Sequence, residues 1–117
     1  MKDKEIQGLD LMSDLQISIK QMSLSLKSLR KTGSIYYQAE HDYKVKVHEV
    51  VLRMKDEGQP ATLINLLVYG EKEVAKLRLA RDLAKTLYEA NQESINVLKL
   101  QSRLLDNQIK REWGSGE

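Results

Sequence analysis

Apolar residues in the first quarter of the chain form a single row, within about residues 3–31. Their spacing alternates between three and four residues, which is typical of a helix that packs along one side against another helix. Residues 15–19 and 22–26 also alternate as a strand would, but no turn residue interrupts the row, and this favours the helix. The row consists of Met12, Leu15, Ile19, Met22, Leu26 and Leu29.

A break is expected after this first helix, at residues 32–34. Gly33 suits the left-handed position that follows many helix ends, and Ser34 can cap the start of a new helix. A second helix is therefore predicted over about residues 35–57. Its end is set by Gly58 and Pro60, because proline cannot continue a helix and restricts the residue before it.

The rest of the chain predicts one short helix and one long helix. Residues 61–69 are apolar on nearly all sides and are expected to form one or two buried turns. From about residue 71 to 113 there is neither glycine nor proline, which predicts a helix of about 40 residues, roughly 60 Å long. Residues 114–117 are interpreted as a flexible tail. The sequence thus predicts a single all-α domain over residues 1–117, an antiparallel helical hairpin or three-helix coiled-coil-like bundle with one long C-terminal helix.

The predicted helix lengths favour self-association. The second helix is much shorter than the last one, so part of the wide apolar band of the last helix must be covered by the first helix or by another subunit. We therefore expect a homo-oligomer, a dimer or higher. The candidate interface residues are Met12, Leu15, Ile19, Met22, Leu26, Leu29, Ile95, Leu98, Leu105 and Ile109.

Composition narrows the class of protein. The 117 residues include 19 Lys and Arg against 17 Asp and Glu, a net charge of +2, and no cysteine. The absence of cysteine excludes a disulfide scaffold, a thiol nucleophile and cysteine-based metal sites. No run of ~20 apolar residues is present, and no apolar segment follows Met1–Glu5 as in a secretory signal. These features predict a cytoplasmic protein with no membrane partner.

Catalytic and metal-binding motifs are also absent. His41 and His48 lie seven residues apart on one helix face, too far for one ion to bridge them directly, and we interpret them as surface or structural residues. No nucleotide-binding glycine loop, zinc-protease motif or nucleophile elbow occurs. The sequence therefore predicts a protein that is not an enzyme and has no catalytic residue, metal or cofactor.

Two basic groups make nucleic acid an alternative partner. One lies between Leu15 and Thr32, where no acidic residue occurs, and the other lies at the start of the long helix. Lysine and arginine rows of this kind can neutralise backbone phosphates, although they are also common on solvated helix faces. The candidate contacts are Lys20, Lys27, Arg30, Lys31, Lys72, Lys76, Arg78, Arg81 and Lys85.

Aromatic residues allow two interpretations. Tyr36, Tyr37 and Tyr43 lie at the start of the predicted second helix, and Trp113 lies near the end of the last one. We favour an aromatic cap at one end of the bundle, and a platform on which bases stack is the alternative.

About two thirds of the chain, from Tyr36 to Gly114, resembles a known set of proteins. The resemblance is carried by Tyr37–Lys44, Arg53–Thr62, Glu93–Leu100 and Asn107–Gly114. These segments are similar to small uncharacterised helical proteins encoded by phages and prophages of Gram-positive bacteria, often in early gene regions. The resemblance implies a viral early protein, encoded near recombination or replication genes. Together with the excess apolar surface of the last helix, this context makes a phage or host protein in the host cytoplasm the expected partner. It implies no catalytic residue, and the first predicted helix takes no part in it.

Overall fold

The fold is all-α. The computed structural model describes residues 2–114, with side chains from Gly8 onward, and contains no strand in that range. Helix α1 spans Lys2–Asp56, α2 spans Ala61–Leu67, a 3-10 turn covers Val68–Gly70, and α3 spans Lys72–Gly114. Apart from Gly114, the tail predicted at residues 114–117 lies outside the described residues. The prediction of an all-α chain with a long C-terminal helix is confirmed.

The N-terminal half differs from the prediction. We expected one helix to end near Lys31 and another to begin near Ile35, but α1 continues through this region without interruption. Gly33 is a buried helical residue, and a Cβ built on it would lie 3.0 Å from a ring carbon of Tyr88. Glycine is therefore needed here for the close approach of α3, and not for a left-handed turn. The predicted break at residues 32–34 is wrong for this reason.

Helix α1 ends at Asp56, and the glycine just after this end adopts a left-handed conformation. Gly58 has a φ of 81°. Its N–H donates to the carbonyl of Lys55, and the N–H of Gln59 donates to the carbonyl of Met54, both at 3.0 Å. These two bonds form a Schellman motif, which satisfies carbonyls that the helix end would otherwise leave unpaired.

The short segment after Pro60 is less buried than its composition predicts. Only Ile64 and Val68 are buried among the described residues of α2 and the 3-10 turn. Leu66 is 77% exposed, and Leu67 and Tyr69 also face outward in large part. The two buried residues lie one helical turn apart, so the segment packs along one side. The expected short helical turns are present, but they are buried on one side only.

The described chain groups into two compact units. Unit 1 contains α1 up to Arg30 and α3 from Ala90, and unit 2 contains Lys31–Glu89. Unit 2 holds the main apolar core, which the end of α1, the short segment and the start of α3 build together. Its buried members are Tyr43, Val50, Met54, Ile64, Val68 and Val74.

In unit 1, two contacts show the relative direction of α1 and α3. A Cβ built on Gly8 would lie 2.7 Å from the Trp113 indole, and further along α1 the Ser18 and Ser102 hydroxyls share a hydrogen bond of 2.8 Å. As the residue number rises along α1, the partner's number falls along α3, so the two segments are antiparallel. Ser18 is buried, so the hydroxyl pair marks the contact face between them.

Candidate interaction surfaces

The predicted interface residues all lie in unit 1, and α3 already covers part of them. Leu15, Met22 and Leu29 are half-buried on the side of α1 that carries Ser18. On α3, Ile95 is buried, and the three remaining candidates are half-buried. These three are Leu98, Leu105 and Ile109. Seven of the ten candidates therefore lie in or beside the contact between α1 and α3 of the same chain.

The other three candidates form a surface that we call the exposed strip: Met12, Ile19 and Leu26. They recur every seven residues along one side of α1, and their exposures are 45%, 56% and 45%. They remain exposed because α3 packs on the side of α1 centred on Ser18, which leaves the other edge of the apolar row open. One helix neighbour covers half of this row, and the row is wide enough for a second neighbour.

The opposite side of unit 1 carries a groove of a different character. Its volume is about 380 Å³, and apolar residues of both helices, Ile17 and Leu104, stand along it. Asp14, Gln21 and Gln101 also line the groove, so it presents polar groups between its apolar edges. At ~100° per helical residue, Ile17 and Ile19 point about 160° apart, which places the groove and the exposed strip on different sides of α1.

Charged residues of α3 flank the exposed strip. Lys99 and Asp106 are seven residues apart, on the side of Ser102 away from Gln101 in the groove. The Nζ of Lys110 lies 3.1 Å from a carboxylate oxygen of Asp106. Arg103 lies between Lys99 and Asp106 on the same edge, so this edge of α3 carries three cations and one acid beside the apolar strip of α1.

The first basic group lies on the surface of α1. Lys20, Lys27, Arg30 and Lys31 are all exposed. Lys20 and Lys27 point to the same side of α1, and none of the four is in an ion pair with another described residue. This group is available to an anionic partner.

The second basic group is partly neutralised within unit 2. Arg81 stacks 4.6 Å from the centre of the Tyr43 ring and donates two hydrogen bonds to Asp82, which raise the pKa of the guanidinium. The Nζ of Lys85 lies 3.9 Å from a Glu89 carboxylate oxygen. Arg78 lies 6.0 Å from the Tyr69 ring, while Lys72 and Lys76 are exposed. The predicted basic residues of α3 therefore do not form one unopposed patch.

The aromatic residues separate into different environments. Tyr36, Tyr37 and Tyr88 form a cluster with ring centres 5.3 to 5.9 Å apart, beside Gly33. A hydrogen bond with Tyr88, followed by the charge interaction with that residue, raises the pKa of Tyr37. Tyr43 instead belongs to the core of unit 2, and Trp113 contacts Gly8 in unit 1. The sequence analysis did not place Tyr88 in this cluster. The feature that indicates its position is Gly33, the small residue that faces the Tyr88 ring.

The two histidines lie on the surface of α1. His41 and His48 are exposed, and the Nδ1 of His41 lies 3.4 Å from a carboxylate oxygen of Asp42. Gln38 donates a hydrogen bond of 2.9 Å to the same carboxylate, and this bond, with the smaller contribution of His41, lowers the pKa of Asp42. Among the described residues, no group of three or more potential metal ligands is brought together.

Comparison with known proteins found no relative of this chain. No protein-family model, curated protein or solved structure matches this chain. Within residues 2–114, no helix combines the length and the apolar character that crossing a membrane requires.

Proposed function

We propose that this chain is a non-enzymatic helical interaction protein of phage or prophage type, which self-associates and binds a phage or host protein in the host cytoplasm. The observation that carries the proposal is the exposed strip of Met12, Ile19 and Leu26. A regular apolar row at heptad spacing is the pattern by which helices recognise other helices. In this proposal, α1 and α3 form an antiparallel coiled-coil-like hairpin that becomes part of a larger bundle when copies associate.

Light scattering after size-exclusion chromatography tests the proposal on the full chain. We expect a mass that rises with concentration from the 13.5 kDa of one chain to that of a dimer or higher oligomer. The physical reason is that burial of apolar area stabilises association by about 25 cal/mol per Å² before the entropic costs of binding are subtracted. A mass that stays at one chain over the whole concentration range contradicts self-association.

An accessory DNA-binding protein for replication or recombination is the second candidate. The exposed row of Lys20, Lys27 and Arg30, with no described acid paired to it, supports this alternative. Phosphate contacts release counterions, so we expect affinity for duplex DNA to fall steeply between ~50 and ~200 mM salt. Fluorescence anisotropy with a labelled duplex measures this, and absence of binding at the lower salt concentration contradicts the alternative. Lys27→Gln is the matched test variant, with Lys110→Gln on α3 as its control.

A further inference from the structure

The two sides of unit 1 carry opposite charge and have different shapes. We infer that the exposed strip of one copy packs into the groove of a second copy, so that two different surfaces meet at each contact. This inference rests on the self-association proposed above and specifies which surfaces take part. All the residues concerned belong to unit 1.

The sign of the charge distinguishes the two sides. The strip side has three cations and one acid on α3, and Arg30, about 20° around α1 from Ile19, adds a fourth cation. On the groove side, every charged residue described along it is an acid. Asp14 lines the groove itself, and Asp10, one helical turn before it, lies with Glu112 at a second depression of about 290 Å³. Opposite charges therefore meet when the strip side of one copy faces the groove side of another.

Several of these charges are available to a second copy. The edge of α3 beside the strip has one internal ion pair, between Lys110 and Asp106. Lys99 and Arg103 are exposed and take part in no ion pair with another described residue. The two aspartates of the groove side are likewise exposed and outside every ion pair of the described chain. A contact between copies can pair them without breaking an existing interaction.

Contacts between identical sides lack this agreement. Two strip sides brought together would place Lys99 and Arg103 of one copy near the same cations of the other. Two groove sides would place Asp10 and Asp14 near the same acids. Repulsion between like charges opposes both arrangements, and most strongly at low salt, where screening is weakest. Charge therefore favours the contact between different sides.

The shapes of the two sides are complementary as well. The exposed strip is a single row of apolar side chains on one helix, whereas the groove lies between two helices, with Ile17 and Leu104 along its edges. Each edge continues to another exposed apolar residue seven positions away on the same helix, Leu24 on α1 and Val97 on α3. A row of side chains that enters the space between two helices is the usual packing of helical bundles, and it buries apolar area on both surfaces.

This contact predicts association beyond two chains. The strip and the groove lie on opposite sides of unit 1, so one contact leaves a free groove on the first copy and a free strip on the second. A third copy can add through the same contact. In light scattering, we expect a mass that rises past twice the 13.5 kDa of one chain as concentration increases. A mass that stops at two chains overturns this inference and leaves self-association standing.

Two variants, each with one surface blocked, test the contact directly. Ile19→Glu blocks the strip and leaves the groove intact, whereas Ile17→Glu blocks the groove and leaves the strip intact. We expect each variant alone to associate about 100-fold more weakly than the natural chain, because the contact would bury an unpaired carboxylate. Mixed in equal amounts, they should form one-to-one dimers of natural affinity and nothing larger. Sedimentation equilibrium measures these constants, and circular dichroism checks that both variants remain folded.

The outcomes separate this inference from the proposed function. A natural chain that is a monomer at every concentration contradicts self-association itself. If the natural chain associates and Ile17→Glu leaves its mass unchanged, the groove takes no part in the contact, so the inference is wrong while the proposed function stands. Absence of dimers in the mixture of the two folded variants also overturns the inference.

Cysteine cross-linking gives a second measurement with milder substitutions, since the natural chain has no cysteine. Positions 17 and 19 point about 160° apart on α1, so a disulfide within one chain cannot join them. Under mild oxidation, a mixture of Ile17→Cys and Ile19→Cys is expected to form mixed dimers in preference to dimers of either variant alone. A chain that carries both substitutions should form a ladder of covalent oligomers. Preferential dimers of Ile19→Cys with itself would show that strip meets strip and would overturn the inference.

A charge reversal in the groove tests the electrostatic part. Asp14→Lys is expected to weaken association about 10-fold at low salt, because it places a cation where the basic side of the next copy packs. Glu93→Lys is the matched control with the same change in net charge. Glu93 lies nine residues from Ser102, about 180° around α3, on the side away from α1. Equal weakening by the two variants would contradict a specific contact at the groove.

Discussion

Substitution of Gly33 by alanine sets two physical effects against each other. In a helix interior, alanine is favoured over glycine by about 1 kcal/mol because glycine loses more backbone entropy on folding. At this position, however, the new Cβ would lie 3.0 Å and 3.4 Å from two ring carbons of Tyr88. Overpacking of this kind costs typically 1–3 kcal/mol when neighbours must move. We therefore expect Gly33→Ala to destabilise the fold by about 1 kcal/mol net.

A double-mutant cycle of Gly33→Ala and Tyr88→Ala separates the steric effect from the effect of helix propensity. In a Tyr88→Ala background the steric cost disappears while the helix propensity remains, so Gly33→Ala is expected to become stabilising by about 1 kcal/mol. Urea unfolding followed by circular dichroism gives the four free energies, at one fixed protein concentration because association would add to the measured stability. Ser34→Ala, at the exposed neighbouring position, is the control and should not depend on Tyr88. Stabilisation by Gly33→Ala in both backgrounds would refute the close approach of Tyr88 and with it our explanation of the unbroken helix.

Three further predictions follow from local contacts. Gly58→Ala is expected to cost about 1 kcal/mol in thermal unfolding, since φ is 81° and no atom lies within 4 Å of the new Cβ, so that only backbone strain acts. Because the pKa of Asp42 is lowered in the folded state, its ionised form contributes stability that is present above the unfolded pKa and lost as pH falls through the folded one; Gln38→Ala should raise this pKa in an NMR titration. Ser18→Ala removes one partner of the hydrogen bond with Ser102 and is expected to cost about 1 kcal/mol in urea unfolding, and Ser18→Ala with Ser102→Ala should cost less than twice that. A cost for the double variant equal to twice the single cost would show that the two hydroxyls are independent.

The spacing of apolar residues was sufficient to predict an all-α fold, but it did not predict which face of α1 contacts α3. Helix α1 carries more than one apolar row: Leu15 and Met22 belong to the face against α3, Ile19 to the open edge, and Ile17 to the groove side. The sequence pattern joined the first two rows into one seam. The structure centres the contact on Ser18, a polar residue that no hydrophobic pattern selects and that is buried because Ser102 satisfies its hydroxyl. The pattern of apolar residues along one helix therefore does not show which of its rows contacts the other helix.

The error at Gly33 has a related cause. A glycine preceded by lysines and followed by serine fits a helix end, and the same residue fits a point of close approach between helices. The two cases differ in the residue on the opposite helix, here Tyr88, which lies far away in sequence. At Gly58 the same type of signal predicted an end correctly, because Pro60 follows and prevents the helix from continuing.

The two proposed activities are separable at Lys20 and Lys27, which lie on a different side of α1 from the exposed strip, whereas Arg30 lies on the same side as the strip. Ile19 lies on the exposed strip, while Lys20 and Lys27 point away from it by about 100° of helix rotation. Self-association through the strip would leave both lysines of each copy in solvent, so it would not block an anionic partner at these two positions. It would place two basic rows on one assembly, and bivalent contact strengthens binding when both sites can be reached at once. A DNA affinity that falls with Ile19→Glu as well as with Lys27→Gln would therefore indicate that the self-associated form binds, whereas sensitivity to Lys27→Gln alone would indicate binding by single chains.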